Sequence, residues 1–348
     1  MKILICILII LILLTAVLNL VLSIRYRHVN RGLRFPGWLI SAFTRYDSVK
    51  GLKRFSGMAN RFMPLLFRER DRKLSMERIY VPGQDGNQIP LLICRRKAAS
   101  SKNAVGLLWI HGGGYAIGTP GAEKSFLKPL ILETNTVAVV PDYRRSDAAP
   151  YPAAFQDCCS ALLWMKEHAA ELGINESQLF VGGASAGGGL AAAVALYARD
   201  TGKVSIAFQM PVYPMLNDRM DTASMIGNTG MLWDEKRNRA AWQLYLGDLY
   251  GTEQVPPYAA PARETDFSGL PPAYTFVGTL DPFLDETLAY AEALRVCGIE
   301  AKCDIYEQAF HGFDVIPSKI STRARAKLLS EYQYAAAHCF APQNSMRA

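Results

Sequence analysis

A mostly parallel, doubly wound α/β sheet is the fold this sequence predicts. Three observations predict it: short apolar strands recur between residues 105 and 306, helical stretches separate several of them, and 50% of the 348 residues are hydrophobic, which suffices for one large core.

Residues 3–24 come first, 22 residues without a charge, which at about 1.5 Å per residue is long enough to span a hydrocarbon core. The expectation is an N-terminal transmembrane helix, residues 1–24, with the lipid bilayer as partner through residues 3–24. A cleaved signal peptide competes, because Lys2 precedes the run and Val21-Leu22-Ser23 is a passable cleavage site. A signal core is usually only about 7 to 15 residues long, so length favours the anchor. Arg25, Arg27, Arg31 and Arg34 follow the span, against Lys2 and the terminal amine before it. The positive-inside rule then puts the remaining chain in the cytoplasm; the alternative is a secreted or lumenal protein.

A basic segment, residues 25–75, comes next. Residues 25–73 hold 13 Lys/Arg against 3 Asp/Glu, an excess of +10 in a chain of net +7, so the remainder carries about −3. The body is therefore not basic, no nucleic-acid motif accompanies the charge, and nucleic acid is excluded as a partner. Such a stretch suits anionic headgroups or a solvated helix face.

The third segment, residues 76–348, begins with a hairpin over 76–96, turning at Asp85-Gly86. Strands follow at 105–110, 136–141, 179–182, 206–212, 273–278 and 301–306, and helices at 153–172, 186–201, 284–297 and 318–338. Residues 215–267 fit no βα unit. With one amphipathic helix around 234–249 and several prolines, they read as an insertion above the sheet.

Seven cysteines, at positions 6, 94, 158, 159, 297, 303 and 339, form no Cys/His spacing of a zinc site and read as small buried hydrophobes. Their odd number favours a reducing compartment.

The sharpest chemical signal is Gly183-Ala184-Ser185-Ala186-Gly187, following a strand and opening an Ala-rich helix. A nucleophile at such a turn sits on strained backbone; Gly183 and Gly187 let neighbouring chain pass close, and the helix N-terminus favours developing negative charge. Gly187-x-Gly189 lies inside the helix, which argues against a nucleotide loop. The second signal is His111-Gly112-Gly113-Gly114-Tyr115, directly after a strand. Three glycines in a row suit a loop whose amides wrap a developing oxyanion, with the Ala186 amide as the other donor. His111 reads as a structural hydrogen-bonding residue.

An acid and a histidine should follow Ser185 in that order. Asp281, just past a strand, and Asp285, a turn later in a helix start where an acid can simply compensate the dipole, are the two candidate acids. His311, between the last strand and the last helix, is the base by place and by elimination of His28, His168 and His338.

Taken together, HGGGY, PDYR at 141–144, YPAAFQD at 151–157, GASAGG, PPYAAPAR at 256–263, GTLDPFLDET and FHGF resemble, in order, the hormone-sensitive-lipase-like family of α/β-hydrolases, over residues 76–340. That family includes bacterial esterases and membrane-anchored arylacetamide-deacetylase-like enzymes. The resemblance implies the α/β-hydrolase fold with a helical lid, Ser185 as nucleophile, Asp281 as acid, His311 as base, and the amides of Gly113, Gly114 and Ala186 as oxyanion hole. It also implies a lid built from about 35–72 packed with 215–267, and preference for short and medium acyl esters. Two departures concern substrate detail: Ala184 stands where many members have an acid, and Arg145-Ser146-Asp147-Ala148-Ala149-Pro150 replaces an apolar-Ala-Pro-Glu run. The expected function is carboxylic-ester hydrolysis on a small-molecule ester, needing no metal or cofactor. An amidase, peptidase or acyltransferase on the same triad, and a non-catalytic binding protein on the same fold, are the alternatives.

Overall fold

The computed structural model describes residues 17–44, 46–97 and 102–343. Eight strands form one sheet: β1 (Leu74–Pro82), β2 (Gln88–Arg96), β3 (Ala104–Ile110), β4 (Thr136–Pro141), β5 (Ile174–Ala184), β6 (Phe208–Val212), β7 (Ala273–Gly278) and β8 (Ala301–Tyr306). Their spatial order is β1-β2-β4-β3-β5-β6-β7-β8. The predicted hairpin is β1 and β2, in register from Leu74 opposite Arg96 to Pro82 opposite Gln88, with Gly86 at φ +77° in its turn. β2 joins β4 antiparallel, and β3 to β8 run parallel, so the sheet is mostly parallel as expected. β3 and β4 are buried at every residue, which is why they read as unbroken apolar runs.

Helices cover both faces. On one side α4 (Ala153–Glu167), α6 (Ala186–Thr201) and α8 (Leu284–Val296) bury Phe155, Leu190 and Leu294 against the sheet. On the other, α1 (Arg31–Phe43), α3 (Lys124–Thr134) and α9 (Lys319–His338) bury Leu33, Leu130 and Leu328. Cys94, Cys158 and Cys159 pack inside these cores.

Several boundaries differ from the sequence expectation. Helix α3, with Pro129 in its interior and a left-handed Asn135 closing it, carries a helix-breaking signal that tertiary packing overrides. The expected helix over 153–172 is interrupted at His168, leaving a single turn, α5 (Ala169–Leu172). Strand β5 begins at Ile174, not at 179, because Ile174 pairs with Ala104 across a register shift, whereas β6 begins at Phe208, two residues later than expected. The helix of the insertion, α7 (Glu235–Leu246), ends at Gly247, which sits at φ +57°.

Two N-terminal helices, α1 and α2 (Val49–Leu66), meet the 215–267 insertion. The Leu232 amide donates to Ser41 Oγ at 2.9 Å, and Arg237 Nε donates to the Thr44 carbonyl at 3.0 Å. Among the described residues no helix is long and apolar enough to cross a membrane. Of the span expected over 3–24, residues 3–16 lie outside the described residues, and 17–25 are helical.

Candidate active site

The parallel strands end on one edge of the sheet, and the residues singled out from the sequence follow their C-terminal ends: His111 after β3, Ser185 after β5, Asp281 after β7 and His311 after β8. Ser185 stands between β5 and α6 at φ +59° and ψ −121°, a conformation costly for a residue with a Cβ. Its small neighbours are obligatory. A Cβ on Gly183 would come within 2.3 Å of the Gly187 carbonyl oxygen, and one on Gly187 within 2.1 Å of the Ile110 oxygen. Backbone therefore passes close to the turn on both sides.

Ser185 Oγ donates to His311 Nε2 at 2.9 Å, and His311 Nδ1 donates to Asp281 Oδ2 at 2.9 Å. An ionised carboxylate only accepts, so the Nδ1 proton faces Asp281 and Nε2 is left to accept from the serine. The other carboxylate oxygen, Asp281 Oδ1, accepts the Phe283 amide at 2.9 Å, which fixes its rotamer. Phe283 and Tyr213 meet the imidazole edge-on, each with ring centroids 4.9 Å apart. All three polar side chains are buried. Asp285, the rival acid, takes the Ser224 amide on its Oδ2 at 2.7 Å and so ties the insertion to the start of α8.

Gly113 at φ +115° and Gly114 at φ +58° need the freedom only glycine has, and a Cβ on Gly114 would strike Trp233 at 2.4 Å. The Gly113 and Gly114 amides donate to no acceptor among the described residues, and Ala186, first residue of α6, has no intrahelical acceptor for its N–H. His111 is buried beneath this loop, donating from Nδ1 to the Gly112 carbonyl at 2.9 Å and stacked on Tyr143 at 4.3 Å. Burial pushes its pKa down to about 4, so the ring is neutral at pH 7.

These groups open on a cavity of about 540 Å³, roofed by Tyr46, Phe55, Met63 and Trp233. Two acids, Glu123 and Asp314, stand in its wall. Burial raises Glu123, which accepts from Trp109 Nε1 at 2.7 Å, to about 7, and burial raises Asp314, which accepts from the Tyr213 hydroxyl at 2.7 Å. Arg325 reaches the same wall, and the rest of the lining is mostly apolar.

A family model described as alpha/beta hydrolase fold matches residues 107–315. The chain belongs to that family. The chain is 31% identical over 208 residues to Esterase LipI of Mycobacterium tuberculosis, and 32% identical over 210 residues to Carboxylesterase NlhH of the same organism. Each match takes in 60% of the chain but 65% and 66% of those relatives, so it spans just under two thirds of their length. Among solved structures, a bacterial heroin esterase superposes with a TM-score of 0.83 at 31% identity, covering 90% of this chain and 99% of that one.

Sequence reasoning missed four residues of the site: Asn60, Tyr213, Trp233 and Glu123. Asn60, on α2, accepts the Gly118 amide at 3.1 Å and donates to the Ala116 carbonyl at 2.9 Å, bracing the glycine loop from the cap. Nothing in an Asn on an amphipathic helix announces this. Tyr213 had one signal, its place straight after a strand end.

Proposed function

We propose that the protein is a serine carboxylesterase in which Ser185 is the nucleophile, His311 the general base and Asp281 the acid that orients it. The observation that carries the reading is the unbroken chain of 2.9 Å hydrogen bonds from Asp281 to His311 to Ser185, beneath a cavity edged by amides without acceptors. His311 takes the serine proton as Oγ attacks the ester carbonyl, and the amides of Gly113, Gly114 and Ala186 hold the oxyanion. Protonated His311 then gives its proton to the leaving alcohol. Water enters, the same histidine removes a proton from it, and the acyl-enzyme is hydrolysed, returning the proton to Ser185.

The roofed, apolar cavity favours short and medium acyl groups over long triglycerides. Residues 76–348 form the hydrolase body, 25–75 contribute to the lid, and 215–267 complete it. Residues 1–24 are the anchor, with the hydrolase on the cytoplasmic side, a reading supported by the 22-residue charge-free run and the arginines after it.

A fluorophosphonate probe should label the protein at Ser185. The Ser185→Ala variant should neither label nor turn over p-nitrophenyl butyrate, and normal turnover by that variant would refute the assignment. An acyl-chain series from acetate to laurate should peak at butyrate or hexanoate; a steady rise toward emulsified long-chain lipid would overturn the chain-length preference. Faster cleavage of anilide or peptide than of ester would make the protein an amidase or peptidase.

A further inference from the structure

The cap helices α1 and α2 are apolar over more of their circumference than the cavity uses. On α2, Phe55, Ala59 and Met63 line the cavity at helical spacing. Met58, Phe62 and Leu65 repeat that spacing on the outside. At about 100° per residue, Phe62 lies about 60° and Met58 about 100° around the helix from Ala59, both in the same direction. On α1, Ile40 lines the cavity, and Phe43 and Leu39 lie about 60° and about 100° from it in that direction again. Phe43 is 75% exposed, Phe62 52% and Leu66 75%. The exposed stripes therefore border the cavity on both helices. Val17, Leu20, Val21 and Ile24, on the helical turns before α1, are exposed as well, whereas Tyr80 and Val296 lie on β1 and α8. Surface of this extent marks an interaction site.

Its charge says what it meets. Neither α1 nor α2 contains an acidic residue, and α2 exposes Lys50, Lys53, Arg54 and Arg61 around the apolar arc. Of the three acids in residues 25–73, Glu69 is paired with Arg78 and Asp71 with Lys128, which leaves Asp47. Aromatic and aliphatic side chains on one arc with lysine and arginine at its edges is the pattern of helices lying in the headgroup region of an anionic bilayer. The 22-residue charge-free run ends at Ile24, seven residues before α1 begins, so the segment best suited to lipid lies next to these helices in the sequence.

We propose that the outer face of α1 and α2 seats on an anionic bilayer and turns the mouth of the reaction cavity toward the lipid, so that the esters it admits are uncharged ones partitioned into the membrane. The choice of ester rests on the carboxylesterase reading; the docking does not.

The test uses the full chain in phosphatidylcholine vesicles with and without phosphatidylserine. The photo-crosslinking residue p-benzoylphenylalanine is placed at position 43, 62 or 334, the last an exposed tyrosine on α9. Positions 43 and 62 should yield lipid adducts, more with phosphatidylserine, and position 334 about tenfold fewer. Equal yields at the three positions, or adducts at 43 and 62 to residues 1–24 of the same chain or to a second copy, would overturn the docking. In the same vesicles, Phe62→Glu combined with Leu66→Glu should slow a membrane-borne naphthyl hexanoate about tenfold and leave soluble p-nitrophenyl acetate unchanged. Equal turnover of the membrane-borne ester would overturn the proposed orientation of the cavity. A wild-type chain that cleaves neither ester would sink the carboxylesterase reading, and the crosslinks would still decide the docking.

Discussion

The floor of the site and its cap are built on different principles. The floor is sheet: four strand ends place His111, Ser185, Asp281 and His311, and each position is set by backbone that could not run elsewhere, as the 2.1 Å approach of a Gly187 Cβ to the Ile110 oxygen illustrates. The cap comes from two segments far apart in the chain, α1 and α2 on one hand and 215–267 on the other, joined by polar contacts such as Leu232 to Ser41 and Arg237 to Thr44. A floor with covalently dictated geometry should lose activity steeply and selectively when a side chain changes. A cap should lose it gradually.

The steepest test is the choice between two carboxylates a helical turn apart. Asp281 holds His311 Nδ1, and Asp285 holds the Ser224 amide of the insertion. Asp281→Asn should lower kcat on the order of 10⁴-fold, because the amide cannot both accept from Nδ1 and stabilise the protonated imidazole. Asp285→Asn should cost only a few-fold, through the cap. The reverse ranking in steady-state kinetics would exchange their roles and erase the distinction between floor and cap.

A second test separates a structural histidine of the floor from the proposed catalytic one. An unfolded histidine titrates near 6.5, and burial holds His111 down to about 4. The folded state therefore binds this proton less well than the unfolded state. The stabilisation is complete above pH 6.5 and is lost as the pH falls from 6.5 toward 4. Between pH 7.5 and 5 the loss should be about 2 kcal/mol. His111→Asn keeps a donor near the place of Nδ1 and cannot titrate. Urea unfolding of the two proteins at pH 7.5 and pH 5 should show the smaller acid-side loss in the variant; parallel losses would mean that His111 is not buried neutral.

This contrast also explains what could be read in advance. The order of strands and helices, the hairpin turn at Asp85-Gly86 and the grouping of Ser185 with His311 were legible because strained turns demand particular residues, and buried parallel strands demand unbroken apolar runs. Helix α3 was not, since Pro129 argues against it and only packing of Leu127, Leu130 and Ile131 on the sheet decides in its favour. Choosing Asp281 over Asp285 needed family resemblance. The cap was legible only through that resemblance, because Asn60, Ser41 and Trp233 act through contacts across roughly 60 to 190 residues of sequence, which no local periodicity carries.

Asn60 is where floor and cap touch, and it gives the finest test. Its side chain bonds both the Gly118 amide and the Ala116 carbonyl, so it clamps the end of the loop that begins with the three glycines. The rest of that loop is held by the Ile117 amide on the Gly113 carbonyl and the Ser146 amide on the Tyr115 carbonyl, each at 2.9 Å, while Gly113 and Gly114 lie at positive φ and their amides donate to no acceptor among the described residues. Removing the clamp leaves two backbone groups to find water and lets the loop shift by a fraction of an ångström, a displacement that weakens oxyanion binding without touching the Ser185–His311 bond. Asn60→Ala should therefore lower kcat about 10-fold, leave KM for a small soluble ester within a few-fold, and leave the pH profile of kcat/KM in place. Fluorophosphonate labelling of the variant should slow in the same proportion as kcat, since the probe's phosphoryl oxygen uses the same amides. A loss confined to KM would assign Asn60 to the roof of the pocket, and a loss near 10⁴-fold would mean that the cap is as rigidly tied to the chemistry as the sheet.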